Sequence, residues 1–204
     1  MTTLEAAAPR APASQISDAL RELVEHMSRG VVLVRGSRGS AGSGVIWDQP
    51  GLVITNHHVV PGEIAELTVH GGRRLRARVV RRAPSLDLAA LSVEEPLEPG
   101  AGVGDSDQLR VGDLVVAVGN PMGERNAPSL GIIASTPGDV LRRAITLRPG
   151  NSGGALVNAH GEVVGIPHMV TGSGLALAVS TRTVRRFLAG AAIEPVDADG
   201  LHWF

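Results

Sequence analysis

Cysteine, lysine and tyrosine are all missing from this sequence. Without cysteine there can be no disulfide, no thiolate metal site and no cysteine nucleophile. Aromatic residues are scarce, with two Phe and two Trp, so any core has to be aliphatic. Neither sign of charge is in excess: 19 basic residues, all Arg, stand against 20 acidic ones for a net charge of −1. A balance that even gives no global attraction to nucleic acid or to an anionic membrane. No apolar run is long enough to cross a bilayer. Met1–Gln15 also lacks the basic start and apolar stretch of a secretory signal. The expectation is a soluble, cytoplasmic protein without a nucleic-acid or membrane partner.

What the chain does have is many turns. Its 26 glycines and 13 prolines punctuate short Val, Leu, Ile and Ala runs, and 43% hydrophobic content over 204 residues can fill a sizeable core. Residues 1–15, rich in Ala and Pro, read as a flexible leader. Ser17 and Asp18 can cap a helix in which Ile16, Leu20, Leu23, Val24 and Met27 recur at helical spacing before Gly30. Its apolar face can dock on a sheet or on another subunit.

Strand-like runs follow at Val31–Arg35, Gly44–Trp47, Leu52–Thr55, Ala65–His70, Leu75–Arg82 and Leu86–Val93. A second set is Leu114–Gly119, Leu130–Ser135, Ile145–Leu147, Ala155–Val157, Val163–His168 and Leu175–Ser180. Two six-stranded antiparallel β-barrels are the natural solution, because closing a sheet removes its exposed edges. The expected fold is therefore all-β: an N-terminal barrel over about 31–93, a linker over about 94–112 and a C-terminal barrel over about 113–180. A short helix over about 181–190 completes a domain spanning 16–190, and 191–204 form a tail.

The most informative segment is Pro149-Gly150-Asn151-Ser152-Gly153-Gly154. It sets a serine hydroxyl among residues that can fold tightly around it, but an unactivated serine is inert at neutral pH. A base and an orienting carboxylate have to come from elsewhere. His57 and His58 follow a strand and precede Val59-Val60, where an imidazole can face a cleft between barrels. Asp87 lies in the apolar run Ser85–Leu91. A buried carboxylate needs a partner, and either a histidine N–H or an arginine could supply it.

The order His58, Asp87, Ser152, together with Gly42–Ile46, Leu52–Val60, Asp87–Leu91, Val111–Gly123 and Pro149–Asn158, resembles the trypsin-like serine proteases, in their bacterial HtrA (DegP-like) branch. The resemblance runs from about Gln15 to Leu188. It implies a serine endopeptidase acting on protein or peptide substrates through His58, Asp87 and Ser152, with no metal or organic cofactor. The family's Asn-x-His-Val run selects His58 and makes His57 a bystander. It further implies an oxyanion hole at Gly150, Asn151 and Ser152, with the amides of Gly150 and Ser152 as donors. The substrate pocket would involve Thr146, Leu147, Pro167 and His168. With no acid near Thr146, cleavage after small or medium aliphatic residues is expected. His168 raises a competing preference for Glu, although alternation along its strand would turn it away from the pocket.

Three departures from the family stand out. The sequence ends without the PDZ domains of typical HtrA chains, the export signal is not visible, and the usual Asp-Ala-Ala-Ile-Asn run is absent before the nucleophile. The family's trimers would place a second copy against the helix Ile16–Met27. The apolar Leu201-His202-Trp203-Phe204 could be captured by a PDZ-type partner or pack on the protein's own surface. Arg74, Arg76 and Arg78 alternate with Leu75, Ala77 and Val79, the signature of a half-buried strand with a solvated face rather than of a nucleic-acid site. The rival to an active peptidase is a non-catalytic or partner-activated binding module on the same fold.

Overall fold

The computed structural model describes residues 12–97, 100–124, 126–135, 139–170 and 176–191. Most of the expected leader and the terminal Leu201–Phe204 lie outside the described residues. The N-terminal barrel comprises β1 (Val31–Arg35), β2 (Ala41–Ile46), β3 (Leu52–Thr55), β4 (Ile64–Thr68), β5 (Arg74–Ala83) and β6 (Leu88–Ser92). They run in the order β1-β2-β3-β6-β5-β4, and β1 closes the barrel on β4. The C-terminal barrel comprises β7 (Leu114–Gly119), β8 (Ala127–Ile133), β9 (Val140–Ala144), β10 (Ala155–Asn158), β11 (Val163–Val170) and β12 (Ala176–Ser180). Read from β7, its order is β7-β8-β9-β12-β11-β10, the same circuit as the first barrel. The two halves share a topology without a repeated sequence.

Aliphatic burial holds each barrel. Val32, Val34, Val53, Leu67, Ala77 and Leu91 fill the first interior, and Val115, Ile133, Leu141, Leu156, Val164 and Ala178 the second. Each fully buried Val, Leu or Ile among them contributes about 1.5–3 kcal/mol. A third cluster lies between the barrels and joins Trp47, Ile54 and Leu88 of the first to Val116, Val118 and Val157 of the second and to Phe187 of the C-terminal helix. That packing fixes the cleft in which side chains from both halves can meet. The interbarrel segment is itself laid on β11, through Gly104 N–H to Val163 O at 2.8 Å and Val163 N–H to Gly102 O at 2.9 Å.

Three local expectations change. Helix α1 spans Pro12–Met27, starting ahead of Ser17 and Asp18, because a proline is well suited to a first helical turn. Leu20, Leu23 and Met27 pack on the interbarrel cluster, so α1 docks on the protein's own barrels, while Ile16 is 59% exposed. Strand β9 forms at Val140–Ala144 and not at Ile145–Leu147, because Leu141, Arg143 and Ile145 alternate inward and an inward arginine disguises the pattern. Asp87 does not lie within a strand; it sits in a left-handed conformation (φ 52°) between a 3-10 turn at Pro84–Leu86 and the start of β6. Helix α2 (Thr181–Ala189) forms where its pattern predicts, capped by Ser180, whose Oγ accepts from Thr183 N–H, and closed by Gly190 at φ 81°. On β5, Arg74, Arg76 and Arg78 are exposed and Leu75, Ala77 and Val79 buried. No helix among the described residues is long and apolar enough to cross a membrane.

Candidate active site

At the end of β3 the chain enters a 3-10 turn, His57–Val59, whose position is set by backbone contacts to Asp87. His57 N–H donates to Asp87 O at 3.0 Å, and Asn56 Nδ2 donates to the same oxygen at 2.8 Å. The β3–β6 register, Thr55 opposite Ala89, brings residue 87 level with this turn. Aspartate tolerates the left-handed conformation better than most residues, so Asp87 can turn its carboxylate inward.

That carboxylate receives two bonds from one residue. His58 N–H donates to Oδ1 at 3.0 Å, and His58 Nδ1 lies 2.7 Å from Oδ2. Asp87 is 2% exposed, and its burial by itself pushes its pKa up. The imidazoles of His168 and His58 and the His58 amide outweigh that effect and hold it at about 2. The partner of the buried carboxylate is therefore histidine. His57 points elsewhere, with its Nδ1 3.1 Å from Arg82 Nη1. Burial first, and then the Arg82 charge, lower the His57 pKa.

Ser152 comes from the other barrel, on the loop between β9 and β10. Asn151 N–H donates to Arg148 O at 3.0 Å, and Gly150, third in that turn, has φ 99° after Pro149. This is a type II turn, in which Pro suits the second position and Gly the third. Gly153 N–H donates to Pro167 O at 2.9 Å and Gly154 N–H to Asn151 O at 3.0 Å. The amides of Gly150 and Ser152 donate to no acceptor among the described residues.

Ser43 on β2 ties this loop to the first barrel. Its N–H donates to Ser152 O at 2.8 Å, its Oγ donates to Gly150 O at 2.8 Å, and Asn120 N–H donates to that Oγ at 2.8 Å. A Cβ on Gly42 would meet Val59 at 2.7 Å and Ser152 O at 3.0 Å, so the nucleophile loop and the residue after His58 close on one point. No hydrogen bond among the described residues joins Ser152 Oγ to His58 Nε2. No motif in the Gly-Ser-Gly of residues 42–44 assigns Ser43 this work. Its signal was a lone polar residue between glycines on an apolar strand.

The residues expected to line a pocket divide. Pro167 receives the Gly153 amide, and the side chain of His168, 8% exposed, faces Asp87, its Nδ1 3.7 Å from Oδ2. Thr146 is exposed, and Leu147 packs half-buried against the second barrel's core. No hydrogen bond among the described residues ties Thr146 or Leu147 to Ser152 or Asp87.

A family model described as "Trypsin-like peptidase domain" matches residues 42–166. The chain is 32% identical over 187 residues to a Chlamydia trachomatis protein named "Probable periplasmic serine endoprotease DegP-like", covering 78% of this chain and 37% of that one. It is 34% identical over 183 residues to human "Serine protease HTRA4", covering 81% of this chain and 38% of the relative. It thus spans under two fifths of the length of these two relatives. Among solved structures it is similar to "HtrA-type protease AlgW with tripeptide", at 29% identity and a TM-score of 0.76, over 83% of this chain and 62% of that one. These findings overturn the cytoplasmic expectation, since the DegP-like relatives are named periplasmic. A chain without cysteine carries no disulfide to record its compartment, so composition could not have shown this.

Proposed function

Because the chain belongs to the trypsin-like peptidase domain family and resembles its HtrA/DegP members, we propose that it is an exported serine endopeptidase with Ser152 as nucleophile, His58 as base and Asp87 as the group that orients the base. The observation that carries this reading is the doubly bonded His58–Asp87 pair. With Nδ1–H committed to Asp87, the neutral imidazole presents a basic Nε2, which takes the Ser152 proton as Oγ attacks a peptide carbonyl. Asp87 stabilises the resulting imidazolium, and His58 returns the proton to the leaving amine. Water then repeats the sequence on the acyl-enzyme.

The uncommitted amides of Gly150 and Ser152 are the donors for the developing oxyanion, and losing one such donor costs about 3 kcal/mol of transition-state stabilisation. Substrates are unfolded or partner proteins, cut after small or medium aliphatic residues. The lack of a Ser152 Oγ–His58 Nε2 hydrogen bond among the described residues is compatible with this reading, as such bonds commonly tighten only in the bound complex. Casein digestion with Ser152→Ala as control, accompanied by fluorophosphonate labelling, tests the reading. Labelling is expected in the native chain and absent in the variant; persistence in Ser152→Ala would exclude Ser152 as nucleophile.

A further inference from the structure

His168 has a setting that the proposed reaction leaves unexplained. Strand β11 pairs with β12 through Pro167 opposite Ala178 and Met169 opposite Leu177, so the register slips and His168 faces no residue across the ladder. Bulges of this kind are common beside active sites. Here the imidazole lies against Asp87, on the side of β11 where Ile166, two residues earlier, packs in the interbarrel cluster. Its side chain is 8% exposed, and its Nδ1 is 3.7 Å from Oδ2, the same oxygen that His58 Nδ1 meets at 2.7 Å.

Among the described residues neither ring nitrogen of His168 has a hydrogen-bond partner, although both are buried. A neutral imidazole always carries one N–H, and a buried donor left unpaired is costly. Asp87 Oδ2 has a second lone pair to offer, and a closure of under about 1 Å would bring the pair to ordinary hydrogen-bond length. A metal ion does not account for the arrangement: among the described residues no group of three His, Asp or Glu side chains is placed to hold one. The charged and titratable neighbours are Asp87 itself, His58 on its far side and, beyond that turn, His57 with Arg82.

The connection spans the cleft. One residue before His168, Pro167 O receives the Gly153 N–H of the nucleophile loop. Adjacent residues of β11 therefore face the serine loop of the second barrel and the carboxylate of the first.

We propose that His168 is a positioning residue that, neutral and protonated on Nδ1, donates to Asp87 Oδ2 from the C-terminal barrel and fixes the carboxylate against which His58 is aligned. It rests on the catalytic reading given above. The carboxylate then has a donor on each side, and its rotation, which would release either the amide or the ring of His58, is blocked. The downward shift of the Asp87 pKa, to which the His168 side chain contributes beside the ring, charge and amide of His58, agrees with a donor in this position.

The test combines rescue with a spectroscopic signature. His168→Gln keeps a neutral donor of similar reach, and His168→Leu removes it at similar volume. At pH 8 the fluorophosphonate labelling rate of His168→Gln is expected within about threefold of the native rate, and that of His168→Leu at least tenfold below it, with KM for a peptide substrate changed far less than kcat. Equal rates for the two variants would overturn the proposal. In the native protein, long-range 15N–1H spectra of labelled histidine are expected to show His168 protonated at Nδ1 at neutral pH. An Nε2–H tautomer would overturn it whether or not the variants fold. A native chain that fails to label counts against Ser152 as nucleophile, and the spectra then decide the His168–Asp87 contact by themselves.

Discussion

A carboxylate that is 2% exposed and still ionised down to about pH 2 has to be held by donors, and at Asp87 these come from the amide and ring of His58. Its folded pKa lies below the ordinary 3.8, so the stabilisation it brings is present above about pH 4 and is lost as pH falls towards 2. The shift corresponds to roughly 2 kcal/mol. Acid unfolding followed by circular dichroism is expected to show native Asp87 contributing that amount at pH 6, and Asp87→Asn removing the corresponding pH dependence. The same substitution favours the wrong His58 tautomer and is expected to lower kcat about 10⁴-fold in a peptide-hydrolysis assay. Arg143 presents the opposite case. It is fully buried, with one bond among the described residues, Nη2 to Leu177 O at 2.8 Å, and burial pulls its pKa from 12.5 to about 9, still protonated at neutral pH. An interior cation with no carboxylate partner among the described residues is a weak contributor to stability, so Arg143→Met is expected to leave the melting temperature unchanged or raise it in a thermal scan.

The loop 148–154 works as an element because glycine stands where the chain must turn or press against its neighbour. Gly153 has φ 81°, and a Cβ there would meet Ser43 O at 2.2 Å and Thr55 Oγ1 at 2.4 Å. Both terms oppose any side chain. Gly153→Ala is expected to destabilise the fold by roughly 3 kcal/mol in urea titration and to abolish labelling of Ser152. Ser43→Ala would leave Gly150 O and Asn120 N–H without their Ser43 partner, a loss of about 2 kcal/mol with slower labelling, measured in the same two assays. Glycine and proline at these positions were visible in the sequence, and so was the turn they make. The pairing of that turn with Ser43 was not, because 107 residues separate Ser43 from Gly150 and no local pattern encodes such a contact. Strand β9 was displaced for a similar reason: hydropathy assigns arginine to the surface, whereas Arg143 points into a barrel.

On the scale of the whole molecule, the interbarrel cluster decides whether the site exists. Trp47, 1% exposed, lies in that cluster with Val116, Val118 and Phe187. Trp47→Ala is expected to cost about 3–5 kcal/mol in urea titration, because the cavity opens between the halves as well as within one of them. The two barrels follow one circuit of strands, yet each supplies different chemistry. The first brings His58 and Asp87 together, and the second carries Ser152 and His168.

Short apolar runs separated by Gly and Pro were enough to specify two closed barrels, because alternation and turn chemistry are local properties of the chain. The types and order of the residues at 58, 87 and 152 were legible for the same reason, as was the inward carboxylate's need for a partner. Only the tertiary structure decided that the partner of Asp87 is histidine, that Ser43 tethers the nucleophile loop, and that His168 of β11 lies against the same carboxylate. Those outcomes depend on the register between strands and the packing of one barrel on the other. Neither quantity is written in any single stretch of residues.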